Sequence, residues 1–379
     1  MLEAALSNPD IVVVLVGALV GIASSLLGTF LVLRGNSLLS DAISHAVLLG
    51  IVLVYLLTGN QYSPFFIAGA AAVGLLTVFL TELLTGTKRV KADAAIGLVY
   101  PFLFALAVLL INLFARNVHI DTDAVLLGEI GFSWLDTTRL FGLQIPTTLL
   151  TLGSVTLLNA LFVTLFYKEL KLATFDPGLA AALGFLPTLL HYGLLGLTSV
   201  TAVTAFDAVG AVLFVAFVIV PPSAAYLLTD RLWRMLLYGS GIGIASSGLG
   251  YLSAIALNVS IGGMMALWTG IFLLLSFLFG SRYGLLAQEQ TRRRQQQENA
   301  ARMLLVHLYH HEGGNDEAQE NSVPALQQHL RWDHSKATRV VAHSVAEQFV
   351  TLGPQPEGLT LTPKGRVLAQ EVWEPWRSR

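Results

Sequence analysis

Over most of its length the chain does not alternate apolar with polar residues; it runs apolar. Stretches at 11–33, 38–58, 64–84, 93–114, 141–167, 184–203, 205–228, 235–257 and 260–280 are long and carry few charges. A helix needs about 20 mostly apolar residues to cross the hydrocarbon of a bilayer. The pattern therefore predicts nine membrane-crossing helices, or eight if the nearly continuous sixth and seventh stretches are one. Pro221 and Pro222 should stop or kink the seventh after Val220, because proline cannot supply a helical N–H. Glycines 239, 241, 243, 248 and 250 suggest that the eighth packs closely on its neighbours.

The pattern breaks near Gly284. Residues 1–284 hold 11 Lys/Arg and 13 Asp/Glu, whereas 285–379 hold 11 of each in far less chain. Overall, 54% of residues are hydrophobic and 12% charged, against about 25% charged in soluble domains. The expectation is a transmembrane domain over 1–284 and a soluble domain over 285–379. With the N-terminus outside, nine basic residues of the short loops fall on the cytoplasmic side and two, Arg116 and Arg139, outside. That bias places the C-terminal domain in the cytoplasm of a cell-membrane protein. Cysteine is absent, which excludes disulfides and thiolate metal sites.

The stretch RGNSLLSDAISHAVLLGIVLVYLL (34–57) places Asp41 and His45 four residues apart, on one face of a helix entering the membrane. A carboxylate and an imidazole so placed can share a divalent cation. The alternative is structural: Asp41 near a helix start capped by Ser37 or Ser40, and His45 bonded to a neighbouring helix. Asp207 and His191 are secondary pathway candidates, with a cap and a packed histidine as their plainer readings. The loop ARNVHIDTDAVLLGEIGFSW carries His119, Asp121, Asp123 and Glu129 at the outer mouth, where acids concentrate cations or receive a delivery protein. In the inner loop 167–187, Asp176 is an expected N-cap, Pro177 a first helical residue and Gly184 a stop. A short helix there could carry force from a cytoplasmic partner. No GxxxxGK[ST] phosphate loop occurs, so the chain itself is not read as an ATPase or any other catalyst.

These residues are recognisable together. The chain resembles a permease of the manganese/zinc/iron ABC-importer family. The likeness rests on LGTFLVLRGNSLLSDAISHAVLLGI, HIDTDAVLLGEI, KELKLATFDPGLAAALG and AVGAVLFVAFVIVPPSAAYLL. Ser40 stands where that family usually has glycine before the aspartate. The resemblance implies a second permease subunit, identical or related, and a separate ATP-binding subunit. It also implies an extracytoplasmic metal-binding lipoprotein that delivers the ion. It makes Asp41 and His45 the metal ligands on the pathway. Phe175, Asp176, Pro177, Ala181 and Gly184 would form the helix that couples to the ATPase. No permanent cofactor is implied; the metal is cargo, with manganese the first choice and zinc and iron open.

In the tail, VPALQQHL (323–330) and DHSKATRVVAHSVAEQF (333–349) read as helices. Two short strands about a Pro/Gly turn and a helix after Pro363 follow. The whole reads as an all-α polytopic membrane protein with a C-terminal α+β winged helix-turn-helix. The tail resembles the DNA-binding domain of iron- and manganese-dependent repressors, most at LTLTPKGRVLAQE (359–371). Its formal neutrality argues against nucleic acid as a partner, since DNA binders carry a basic face. His307 and His311, one turn apart, suggest a metal sensor, with solvated surface histidines as the alternative. A rival reading of the whole chain is a membrane-tethered, metal-responsive transcription regulator.

Overall fold

The computed structural model describes residues 7–59, 65–114, 128–140, 143–280, 283–314, 317–353 and 358–373. The chain forms two compact units, Met1–Gly284 and Leu285–Arg379.

The first unit is built around helix α1, Pro9–Leu33. Its start is fixed locally: the Asn8 side chain accepts from the Asp10 N–H at 2.9 Å, and Pro9 occupies the first turn, where a missing N–H costs nothing. Val12, Val16, Val20, Ala23 and Phe30 on α1 are fully buried. Around it stand α2 (Ser37–Thr58), α3 (Phe65–Gly86) and α4 (Ala92–Phe114). A β-hairpin, β1 (Thr137–Leu140) and β2 (Leu143–Pro146), leads into α5 (Thr147–Leu165). Two short helices, α6 (Tyr167–Phe175) and α7 (Pro177–Ala182), then precede α8 (Pro187–Phe206) and α9 (Ala208–Leu228). Helices α10 (Leu232–Leu257) and α11 (Ile261–Phe279) complete the unit. Nine helices among the described residues are long and apolar enough to cross a membrane. The protein is a mostly helical, multi-pass membrane protein.

Within lipid, tails are as apolar as leucine, so helices associate by close packing at small residues. Here a Cβ on Gly21 would lie 3.0 Å from the backbone of Gly243 on α10, and one on Gly50 only 2.4 Å from the carbonyl oxygen of Gly69 on α3. Of the five glycines in α10, Gly239, Gly243 and Gly250 meet neighbours this way, whereas Gly241 and Gly248 face open space.

Three local expectations change. Residues 143–146 are strand, not the start of a span. They pair antiparallel with β1, Thr137 opposite Pro146 and Leu140 opposite Leu143, and the helix begins only at Thr147. A short apolar run such as LQIP fits strand as well as helix by pattern alone. Second, α9 runs straight through Pro221 and Pro222 to Leu228. Helical backbone is broken instead at Gly210, where φ is 74° and ψ 171°. Gly28 of α1 packs against the Val218 carbonyl, which Pro222 leaves without its helical partner. Pro222 gives no N–H to the Val218 oxygen, and Gly28 lies so near that a Cβ there would sit 1.9 Å from that oxygen. Third, Asn36, not Ser37 or Ser40, stands at the N-cap of α2, and its side chain makes no cap bond. Ser40 is buried and its hydroxyl donates to the Ser37 carbonyl at 2.6 Å.

The second unit comprises α12 (Leu285–His311), α13 (Glu317–Glu320), α14 (Val323–His329), α15 (His334–Ala346), strands β3 (Val350–Leu352) and β4 (Leu359–Leu361), and α16 (Pro363–Trp373). The strands pair antiparallel, Val350 opposite Leu361, and an isolated bridge joins Ser322 to Gly358. Leu304, Leu305, Leu308, Leu326, Trp332 and Val350 share one small core.

Candidate functional site

Asp41 and His45 meet as their spacing requires. His45 Nε2 lies 3.5 Å from Asp41 Oδ1, and the two side chains are 35% and 37% exposed. Asp41 is the fifth residue of α2, beyond the first turn, so neither capping nor the end of the helix dipole accounts for it. The imidazole is held from α4. Its ring stacks on Tyr100 with centroids 5.7 Å apart and meets the edge of Phe104 at 6.2 Å. Pro101 lies between those two aromatics, inside the helix. An oxygen and a nitrogen donor thus stand side by side on a membrane helix, backed by aromatic rings. Two protein donors leave most of an ion's shell to water or to a facing surface, so an ion can bind and leave.

His191 belongs to a second polar cluster. Its Nδ1 lies 3.1 Å from Arg34 Nη1 and its Nε2 3.1 Å from Glu82 Oε1. Tyr192 donates to the other Glu82 oxygen. Arg34 Nε donates to Thr174 Oγ1 at 3.1 Å. The cluster therefore ties the turn before α2, the end of α3, the start of α8 and the end of α6. Each member is partly buried and bonded, which is how polar groups persist inside apolar packing. Sequence reading singled out His191 and passed over Arg34 and Glu82. The available signal was their charge at the ends of apolar runs.

The segment 175–184 is rigidly defined. Asp176 Oδ1 accepts from the Leu179 N–H at 2.8 Å and Pro177 opens α7. At the far end Phe185 N–H reaches the Ala180 carbonyl and Gly184 N–H the Ala181 carbonyl, both at 3.0 Å. That crossed pair needs a left-handed residue between helix and exit, and Gly184 supplies it with φ 85°. Ala181 is exposed. Phe175, Leu179 and Leu183 stand 62%, 47% and 60% exposed, an apolar ridge on and beside a helix of six residues.

The remaining candidates are less informative. Asp207 lies three residues before the break at Gly210, and its side chain lies outside the described residues. His119, Asp121 and Asp123 also lie outside them. Glu129 is exposed, just before a single 3-10 turn at Ile130–Phe132. In the second unit, the His307 and His311 rings lie 4.8 Å apart, and His329, another of the tail histidines, joins them together with Glu320, which the sequence did not single out.

The chain is thus a multi-pass helical protein with Asp41 and His45 side by side on one helix and a capped short helix at α7. The chain belongs to the ABC 3 transport family, whose model matches residues 11–280. It is 47% identical over 278 residues to the manganese transport system membrane protein MntD of Bacillus subtilis, covering 73% of this chain and 94% of that one. It is 44% identical over 362 residues to the zinc transport system membrane protein TroD of Treponema pallidum, covering 94% and 97%. That second match necessarily extends into the C-terminal unit. Among solved structures, PsaBC from Streptococcus pneumoniae in complex with Fab shares 31% identity with a TM-score of 0.61, over 73% of this chain and 94% of that one.

Proposed function

We infer that this chain is the transmembrane permease subunit of an ATP-driven importer of divalent metal ions, with manganese as its first cargo and zinc or iron as alternatives. The observation that carries the reading is the family match over 11–280, a range that includes both the Asp41–His45 pair and the capped helix α7. The relatives named for manganese and for zinc support the cargo class. Oxygen and nitrogen donors suit all three metals. The subunit is non-catalytic; a separate ATP-binding subunit supplies hydrolysis.

In this reading Asp41 and His45 contact the ion on its path. Two permease subunits would face each other, and an extracytoplasmic lipoprotein would deliver metal at the mouth that includes Glu129. On the cytoplasmic side, the ridge of Phe175, Leu179 and Leu183 would seat in the ATPase. Asp176, Pro177 and Gly184 hold that ridge in shape. The C-terminal unit, on the same side, is read as a winged helix. The order of α14, α15, the β3–β4 hairpin and α16 supports this, as does the third-strand bridge from Ser322 to Gly358. A role in protein contact or regulation suits it better than DNA binding. Its candidate recognition helix α15 offers Lys336 and Arg339 against Asp333 and Glu347.

The test is uptake of radioactive manganese into vesicles holding the permease, its ATPase and its binding protein. ATP-dependent uptake that ignores collapse of the proton gradient is the expected result. Uptake that survives loss of the ATPase and follows the proton gradient would make the chain a secondary transporter instead. Sequence-selective, salt-sensitive retention on DNA without uptake would make it a tethered regulator.

A further inference from the structure

The C-terminal unit brings four metal-ligand side chains together from three elements. His307 and His311 lie one turn apart near the end of α12, Glu320 ends α13, and His329 ends α14. One ligand atom from each lies within 4.8 Å of the others. His329 Nδ1 is 2.8 Å from Glu320 Oε2. The ring centroids of His307 stand 4.8 Å from His311 and 5.9 Å from His329. Among the described residues no other group of three or more such ligands converges in this way.

We propose that His307, His311, Glu320 and His329 form a transition-metal site in the C-terminal unit, with zinc favoured over manganese. Three imidazoles and one carboxylate are the donors of a four-coordinate zinc site, and zinc outranks manganese wherever nitrogen donors dominate. Bond lengths of about 2.0–2.1 Å place tetrahedral ligand atoms roughly 3.4 Å apart. The cluster needs only to tighten, and the exposed imidazole of His329 has room to turn. Supporting contacts exist already. His307 Nε2 is 3.1 Å from the Glu320 backbone carbonyl, and an imidazole that donates there keeps its other nitrogen as a lone-pair ligand. An open groove lined by Val306, His310, Leu330 and Trp373 reaches His307 and His311 and gives an ion a way in.

The site differs in kind from the Asp41–His45 pair. Two donors let an ion pass; four donors from three elements hold one and cross-link α12, α13 and α14. This inference stands independently of the transport reading.

The experiment uses the full chain purified in detergent, titrated with Zn2+ against a chromophoric chelator. Its background carries Asp41→Ala and His45→Ala, so that the membrane pair contributes nothing. One Zn2+ per chain is expected in that background. His311→Ala and His329→Gln, added singly, should weaken it by at least about a hundredfold, the upper range for losing even a supporting contact. Co2+ should give the intense visible bands of a tetrahedral site, absent from both variants. His329 is exposed, so His329→Gln leaves the core of the unit intact and reports on the metal alone. Unchanged zinc affinity and an unchanged cobalt spectrum in His329→Gln would overturn the proposal. So would zinc binding that disappears with Asp41→Ala and His45→Ala alone.

Discussion

Arg34 reaches across to Thr174, its Nε donating to the threonine hydroxyl at 3.1 Å. Thr174 immediately precedes the exposed Phe175, and Arg34 stands three residues before α2, the helix of Asp41 and His45. The same guanidinium contacts His191, which in turn contacts Glu82. One arginine, in the turn that leads into α2, therefore bonds the end of α6 and His191 on α8 and, through His191, is linked to Glu82 on α3. Through Thr174, the segment just before α7 is tied to the turn that leads into α2.

Breaking that tie should uncouple hydrolysis from transport. In the assembled importer, Arg34→Ala is expected to keep ATP hydrolysis while metal moved per ATP falls about tenfold, equivalent to ~1.4 kcal/mol of lost coupling. Arg34→Lys keeps the charge but loses the planar fork, and should fall between. Simultaneous uptake and hydrolysis assays decide it. An unchanged ratio in Arg34→Ala would leave the cluster a purely structural one.

The ridge on α7 gives a sharper test of assembly. Leu179 is exposed, so Leu179→Asp should leave the permease folded and in the membrane. The charge would lie buried in a protein contact, and co-purification of the ATPase should be lost. Asp176→Ala removes a helix cap at a cost of about 1 kcal/mol and should weaken the same association less. Full recovery of the ATPase with Leu179→Asp would show that the ridge faces no subunit.

Gly28 and Gly241 separate packing from propensity. A Cβ at Gly28 collides with the Val218 carbonyl, whereas one at Gly241 meets nothing within 4 Å. Gly28→Ala should lower the melting temperature in detergent markedly or prevent insertion. Gly241→Ala should be neutral or slightly stabilising, by up to about 1 kcal/mol of helix propensity. Equal melting temperatures would contradict the close α1–α9 approach.

The second unit should show an acid limb from Asp333. The Ser335 hydroxyl, then the Lys336 backbone N–H, hold its carboxyl below the usual carboxylate value of 3.8. The group is depressed in the folded state, so its contribution is complete above that value and disappears as pH falls through the folded one. Circular dichroism of the full chain between neutral pH and about pH 2 should show a steeper acid loss than in Asp333→Asn. Superimposable curves would show that the Asp333 charge contributes nothing to the acid limb, since asparagine keeps the cap.

Much of this was legible in the sequence because lipid simplifies the code. Long apolar runs mark the spans, though not always their first residues, and the Asp41–His45 spacing dictates a shared face once the helix is given. The Asp176, Pro177 and Gly184 signals act within one turn, so their geometry follows locally. What stayed hidden depends on distant partners. Pro221 and Pro222 read as a stop because nothing in their own segment shows Gly28 arriving beside the Val218 carbonyl. The run LQIP reads as helix until Thr137–Leu140 is there to pair with it. Glu320 and His329 are unremarkable singly; only the fold of the second unit brings them to His307 and His311. Glu82 and Arg34 are likewise separated by two spans before they meet at His191.

In the proposed function, metal crosses the membrane past Asp41 and His45. The most direct test is manganese uptake in vesicles containing permease, ATPase and binding protein, comparing the wild type with Asp41→Ala and His45→Ala while hydrolysis is followed in the same preparation. Both variants should assemble and hydrolyse ATP yet take up no more manganese than empty vesicles. Uptake at the wild-type rate in both would contradict the claim and move the pathway away from α2.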